Sequence, residues 1–595
     1  MSSSKRGSLV LAASGIAVGL CVFVACVGDD PSASNGGSSG DPNNGDASGD
    51  GANSDGSSSG GSFKLTVTLE GDAGTGSVTS APSGIDCGLN CQADFNTDTA
   101  VTLTAAPTTA GGFFGWTKDG LSCGSLVTCA VQMTAAKNVG AMFGNTKNGW
   151  VQSVSSTGND ADTHAVLDKD GNIFFATNFG ASFTFGGKTY SSGNIFLAKL
   201  SPTGAVIWAK TFGSGDSVGS IAVGKNGEIA LAGITGSTSS DLGGKTLTSD
   251  GEDPFVVKYS GADGTALWGK VITTSPADGP GMDAVAVDGT GNVIVMGHFN
   301  TSVDFNDGTG SHSAPDQEVF LAKYASADGS TTTNGWKRYL TGAAYAYAHK
   351  ILVDSTNDFI VGGYFAGTVE LGPAIPAVGA MTAGGNNDGF VAKFQNVNGT
   401  LVWRKQFGAG GDDDIVGIAL VDSTSNDIAA IARYSVTNGV VPSFGGVNMT
   451  APTATSYDVA IGKLASGNGN VQWAKRYGGA GSEFAYDIAV LAADRYAITG
   501  YSTADVTFDA QPGITFAGAG GDGWFVVLEG TGGGVPSATW AFKAGSAGLD
   551  TGQVVLGRDK LLFGFGKFIG DGIFLGKTVA NAGSYDAYLF GAVVP

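Results

Sequence analysis

The sequence predicts an all-β chain: a seven-bladed β-propeller preceded by a small β-rich, disulfide-bonded domain. Three observations predict it. The 595 residues include 99 glycines, 33 phenylalanines and 15 tyrosines but only 14% charged residues, a composition of turn formers and strand-favouring aromatics. Tryptophans recur at Trp150, Trp208, Trp268, Trp336, Trp403, Trp473 and Trp540, 58 to 70 residues apart, and a fixed period of this kind marks repeated structural units. Between tryptophans one series returns: an alternating strand such as Ala284–Asp288, a turn Gly289–Asn292, a second strand Val293–Gly297, a longer loop, a third strand Val319–Lys323 and a short turn back to the tryptophan strand. Four short antiparallel strands per unit make a propeller blade.

The ends of the repeat fit a ring. The last unit stops after a third strand, Tyr585–Phe590, and lacks its tryptophan strand, whereas Gly149–Gln152 is a tryptophan strand with no unit before it. Pairing the two completes seven units and removes both exposed strand edges. The ring is therefore expected to span residues 146–595.

Upstream lie three further segments. Residues 1–25 carry Lys5 and Arg6, then an apolar run from Leu9 to Ala25 that ends before Cys26, the layout of a signal peptide. Residues 26–62 are almost entirely Ser, Gly, Asp, Asn, Ala and Pro, with no apolar run able to fold, and read as a solvated tether. Residues 63–145 alternate as strands at Lys64–Leu69 and Ala100–Ala105. They also hold Cys87, Cys91, Cys123 and Cys129, an even set that implies disulfides in an exported protein. Four cysteines allow three connectivities; local spacing favours Cys87 with Cys91 and Cys123 with Cys129, and a zinc site is the rival reading. Trp116 is expected in the core of this unit.

Three resemblances attach to these residues. Phe23-Val24-Ala25-Cys26 resembles the lipobox of bacterial lipoproteins, which implies lipidation of Cys26. It also implies anchoring at the outer membrane or cell surface, with a secreted or periplasmic protein as the alternative. Gly76–Ser80, Ile85–Gly88, Cys91, Phe114–Trp116 and Thr128–Cys129 resemble the InlB-type B-repeat domain of bacterial surface proteins, which implies a small spacer or adhesion module. Trp208–Lys210, Phe212, Gly213, Ile221–Val223, Gly227, Gly233, Asp253, Phe255 and Lys258 resemble the SBBP-type bacterial β-propeller repeat. That likeness implies a fold and an exported setting but no particular activity, because propellers host many functions.

The formal charge of −21 argues against nucleic acid and against an anionic membrane surface, both of which need clustered Lys and Arg. Contact with membrane is expected only through the lipid. Basic residues two after the tryptophans (Lys210, Lys270, Arg338, Lys405, Lys475), or three after in the case of Lys543, and in the third strands (Lys199, Lys258, Lys323, Lys393, Lys463) recur in most units. They read as scaffold, paired with blade carboxylates such as Asp253 or Asp388. Gly186-Gly187-Lys188-Thr189 and its repeats mimic the end of a phosphate-binding loop without its upstream glycine or following helix. Only seven arginines exist, and the four histidines stand in different contexts without a nucleophile signature, so no catalytic residue is assigned.

Function is to be sought where the repeat is broken, on the long loops of one face. Two places qualify. Tyr345, Tyr347 and His349 suit stacking on a sugar or a protein side chain; Asp412, Asp413 and Asp414 suit a metal, with calcium the only cofactor suggested. The expectation is a monomeric, non-enzymatic exported lipoprotein that presents a propeller face to an envelope or extracellular protein or glycan. The alternative is a carbohydrate-active enzyme, hydrolase or lyase, working through loop carboxylates.

Overall fold

The computed structural model describes residues 61–594 apart from short stretches within that range. The signal peptide, Cys26 and the tether as far as residue 60 lie outside the described residues. No helix occurs among the described residues, which divide at Gly144/Asn145 into two compact units.

The smaller unit holds two four-stranded sheets. One is ordered Gln92–Asn96, Ser62–Gly71, Lys137–Gly144, Gly112–Lys118, and the other Asp86–Cys87, Gly76–Ala81, Ala100–Pro107, Thr128–Gln132. Alternation of apolar and polar residues turns Leu65, Val67, Val101, Leu103, Val131 and Val139 inward, with Trp116 among them at 3% exposure. Cys87 is bonded to Cys91 and Cys123 to Cys129, which settles the connectivity and removes the thiolates that zinc would need.

The larger unit contains seven antiparallel sheets, numbered 1 to 7; six have four strands, and sheet 3 is extended to six by Thr368–Glu370 and Met381–Thr382 beyond its fourth strand. Their first strands are His164–Leu167, Ser217–Val223, Gly281–Val287, Ala346–Val353, Asp413–Leu420, Glu483–Ala492 and Thr551–Arg558. Each pairs with a second strand, that with a third, and the third with a tryptophan strand. Sheet 7 receives its fourth strand, Trp150–Val154, from before sheet 1, paired with Asp586–Val593. Neighbouring first strands pack side by side, and that of sheet 7 packs beside that of sheet 1. Sandwiching between neighbours explains why third strands such as Ile195–Leu200 and Glu318–Tyr324 are buried on both faces instead of alternating. The phosphate-loop look-alike Gly186-Gly187 is a tight turn joining Phe183–Phe185 to Lys188–Tyr190.

One contact repeats at the seams. The indole Nε1 of Trp208 donates to the Gly261 carbonyl of the next sheet at 3.2 Å, Trp268 to Ser326 at 3.0 Å, Trp336 to Asn396 at 2.8 Å and Trp403 to Ser466 at 2.8 Å. Trp150 in sheet 7 donates to Pro202 of sheet 1 at 2.9 Å. Beneath each ring lies a glycine of the accepting turn with positive φ: Gly264, Gly329, Gly399, Gly469 and Gly204. A Cβ on any of them would stand 2.5–2.9 Å from the indole. Position 5 departs from the pattern: Pro536 of sheet 6 accepts instead from Lys475 and Tyr477.

The third-strand lysines are structural, but their partners are not Asp253 or Asp388. Lys199 pairs with Asp168 at 3.2 Å, Lys258 with Glu228 at 3.7 Å, Lys323 with Asp288 at 3.2 Å, Lys393 with Asp354 at 2.6 Å and Lys463 with Asp427 at 3.5 Å. All five carboxylates stand at the turn between first and second strands. The reason is strand length: Asp388 begins the strand that Lys393 nearly ends, which puts them ~17 Å apart at about 3.3 Å per residue. Asp253 instead accepts from Thr274 and Ser249, and Asp388 from Gln406 and Gly384.

The seam contact can be isolated by two alanines. Gly227 has φ +84° and open space around it, whereas Gly399 has φ +69° and faces Trp336 and Arg338. Gly227→Ala is expected to cost about 1–2 kcal/mol of left-handed strain, and Gly399→Ala a further ~1–3 kcal/mol of overpacking. Urea unfolding of the two variants measures the difference; equal losses would mean that the indole seat carries no weight.

Candidate ligand-binding mouth

The mouth begins with a register rule. Near the end of every second strand one position is half-buried between buried neighbours: Asn178, Ile234, His298, Tyr364, Arg433, Tyr501 and Lys567. Opposite four of them on the first strands stand Gly281, Tyr347, Asp414 and Phe484. A β-bulge follows in the first strands, at Asp283, His349 and Tyr486 in sheets 3, 4 and 6. An extra unpaired residue re-aims a side chain out of the alternation.

Sheets 3 to 6 thereby concentrate aromatic and charged groups at one end. Tyr347 stacks on Tyr364 with centroids 5.2 Å apart; Tyr345 stands edge-on to Tyr347 at 5.7 Å, and His298 edge-on to Tyr347 at 4.6 Å. Phe484 stacks on Tyr501 at 4.7 Å, with Tyr457 5.1 Å from Phe484 and Tyr486 5.9 Å from Tyr501. Offset and edge-on geometries of this kind are the favourable ones for aromatic rings.

The two sets of candidate residues picked out in the sequence meet here. His349 Nε2 lies 3.0 Å from Asp414 Oδ2, which also accepts from Arg433 Nη2 at 3.2 Å. Tyr345 donates to Asn387 Oδ1 at 2.9 Å, Asn387 donates to Asp412 Oδ1 at 3.1 Å, and Tyr457 donates to Asp412 Oδ2 at 3.1 Å. Asp413 points the other way along the strand, is 3% exposed, and accepts from the Ser435 amide. Consecutive strand residues face opposite sides, so the acidic run is divided among separate partners. Among the described residues no three metal-ligating side chains converge.

Beneath the aromatics Lys350 of sheet 4 donates to Asp487 of sheet 6, both at most 2% exposed. Asp487 also accepts from the Val555 amide of sheet 7 at 3.3 Å. These are not neighbouring sheets, so the pair bridges sheet 4 to sheet 6 past sheet 5.

Electrostatics sort the groups by role. Burial by itself would raise the Asp414 carboxyl, but His349 and Arg433 outweigh it and hold it below the usual carboxylate range. Burial raises the Tyr364 hydroxyl well above its ordinary value, helped by Asp414, and pushes Tyr486 up to about 12. At neutral pH the mouth therefore offers neutral phenols around an ionised, internally compensated Arg433–Asp414 pair.

Sequence reasoning missed His298, Tyr364, Arg433, Tyr486, Tyr501 and the Lys350–Asp487 pair. A signal existed: the second strands end in a small residue followed by a variable one, as in Gly297-His298, Gly363-Tyr364, Ala432-Arg433 and Gly500-Tyr501.

No family model matches the chain, and no curated protein matches it. Among solved structures the fold is similar to the Dos1 propeller, at 10% identity and a TM-score of 0.36, covering 74% of this chain and 95% of that one. It is also similar to quinohemoprotein alcohol dehydrogenase ADHIIG from Pseudomonas putida HK5, at 10% identity and a TM-score of 0.35, covering 75% and 77%. A europium-containing methanol dehydrogenase matches at 11% identity and a TM-score of 0.32, covering 74% and 92%.

Asp414 sets the acid limit of the mouth. A carboxyl depressed on folding contributes stability that is fully present above its unfolded pKa of about 4 and is lost as pH falls through the lower folded value. Asp414→Asn is expected to cost about 1–3 kcal/mol at neutral pH by stranding buried donors and to flatten the fall in stability on acidification. Urea unfolding across a pH series checks both.

Proposed function

We propose that the chain is a lipid-anchored envelope protein whose larger unit is a closed seven-bladed propeller, and that its mouth on sheets 3 to 6 binds a neutral glycan or a protein surface. The observation that carries this reading is the convergence of Tyr345, Tyr347, Tyr364, Phe484 and Tyr501 from two pairs of strands around the Arg433–Asp414 pair. Apolar ring faces beside fixed polar groups are what sugar rings and protein side chains require. The seven sheets, the strand shared between first and last, and the seam contacts support the closed ring. The lipobox-like Phe23–Cys26 supports the anchor, and the repeats quoted above support kinship with SBBP-type propellers and an InlB-like spacer.

The mouth's carboxylates favour binding over hydrolysis, since Asp412 and Asp414 are both occupied by protein donors. One observation keeps the enzyme reading alive: two histidines are each oriented by a carboxylate, His298 by Asp283 at 2.9 Å and His349 by Asp414, the arrangement an imidazole needs for proton transfer.

A glycan array followed by calorimetry tests the proposal. Tyr364→Ala is expected to weaken any glycan found by about 0.5–1.5 kcal/mol from the lost ring contact alone. Turnover of a glycan that depends on His298 or His349 would replace the binding reading by the enzymatic one.

A further inference from the structure

A second site lies away from the mouth, on the outer rim of sheet 3, where the repeat is interrupted. In sheets 2, 4 and 5 the turn after the third strand closes at Thr265, Thr400 and Asn470, and the tryptophan follows three residues later. In sheet 3 the turn closes identically, Ala325 to Ser330, but Trp336 follows six residues later. The insertion is fastened down. Thr331 is 4% exposed and donates to Asp307, which also accepts from Lys337 at 2.5 Å and from Thr309 at 2.6 Å. Asp307 thus clamps the insertion, the fourth strand and the hairpin loop before His312 into one wall.

That wall borders a shallow, open cleft of about 550 Å³, a volume within the range of about 300–1,000 Å³ typical of small-molecule sites. Its charges are unequal. Lys337 is neutralised by Asp307, and His312 Nε2 lies 2.8 Å from Glu318. Arg338 has no carboxylate partner among the described residues; its guanidinium lies over the Trp336 ring, 5.9 Å from the centroid, Nη1 donates to the Lys337 carbonyl at 2.7 Å, and Nε is enclosed without an acceptor. His312 lies flat on Tyr339 at 3.7 Å, which backs one face of the imidazole, and its side chain is 32% exposed. Ser311 and Thr332 add hydroxyls to the lining.

We propose that this rim cleft binds a sugar acid, with the carboxylate on the Arg338 guanidinium, the ring over His312 and the hydroxyls on Ser311 and Thr332. A guanidinium without a carboxylate partner among the described residues suits an incoming carboxylate, which it can meet through its outer Nη1/Nη2 edge, the Nε edge being enclosed. A flat backed ring suits a pyranose face. The negative charge of the whole chain opposes an anion only at range, because surface charges are screened beyond about 8 Å in physiological salt. The site is independent of the mouth.

Calorimetric titration of the intact chain with D-glucuronate, D-glucose and inorganic sulfate tests the assignment. The expected result is saturable glucuronate binding, with glucose and sulfate each at least about tenfold weaker, the scale of one charge-assisted bidentate contact. Arg338→Met keeps the aliphatic stem that packs on Gly399 and is expected to lose the glucuronate signal by about tenfold or more, and Arg338→Lys by less. Thr332→Val, on an exposed loop, is expected to weaken binding severalfold without altering the melting temperature, and Tyr364→Ala to leave it unchanged. Absence of saturable glucuronate binding, glucose binding as tightly, sulfate binding as tightly, or a folded Arg338→Met that binds normally would each overturn the proposal.

Discussion

The larger unit depends on a contact that recurs at five of its seams: an indole N–H donated to a neighbouring turn carbonyl over a glycine that has no room for a side chain. Four-stranded sheets cannot bury both faces alone, and their hydrophobic third strands stay soluble only between neighbours. The tryptophan serves two ends at once. Its ring fills the seam against the positive-φ glycine, and its N–H satisfies a carbonyl that the turn cannot use internally. Because Trp150 belongs by pairing to sheet 7 but reaches Pro202 of sheet 1, the same device that joins consecutive sheets also joins the two ends of the chain's repeat.

With cohesion placed at the outer strands and at the lysine–carboxylate turns of one face, the opposite ends of the first and second strands are free to vary. Sheets 1, 2 and 7 put Asn178, Ile234 and Lys567 at the mouth, while sheets 3 to 6 put histidine, tyrosine, arginine and tyrosine there. The same bulge recurs with different residues: Gly219 in sheet 2, Val416 in sheet 5 and Gln553 in sheet 7, but Asp283, His349 and Tyr486 in sheets 3, 4 and 6. The buried Lys350–Asp487 pair is consistent with this division of labour. Such a pair adds little net stability over apolar residues, but it joins two sheets that share no seam.

Much of this was legible in the sequence. The tryptophan period announced repeated units, the unpaired strands at either end announced their pairing, and local cysteine spacing favoured the disulfides that form. Tyr345, Tyr347, His349 and the acidic run at Asp412 were recognisable because they break the repeat. Their relation was not, because His349 and Asp414 are 65 residues apart and meet only through the packing of sheets 4 and 5. The lysine partners were misassigned for a similar reason: alternation tells which face a residue occupies, but not which end of a neighbouring strand comes within reach.

Sequence by itself determined the all-β class, the repeated four-strand unit, the small cysteine-bearing module and the positions where the repeat fails, since each follows from local periodicity and composition. Only the tertiary structure decided that the acidic run is shared out among Tyr457, Asn387, His349, Arg433 and the Ser435 amide, that Lys350 and Asp487 bridge sheets 4 and 6, and that, among the described residues, Arg338 lacks the carboxylate partner its neighbour Lys337 has. Those outcomes turn on distances of a few ångströms between strands remote in the chain, which the register and packing of whole sheets fix and no local pattern encodes.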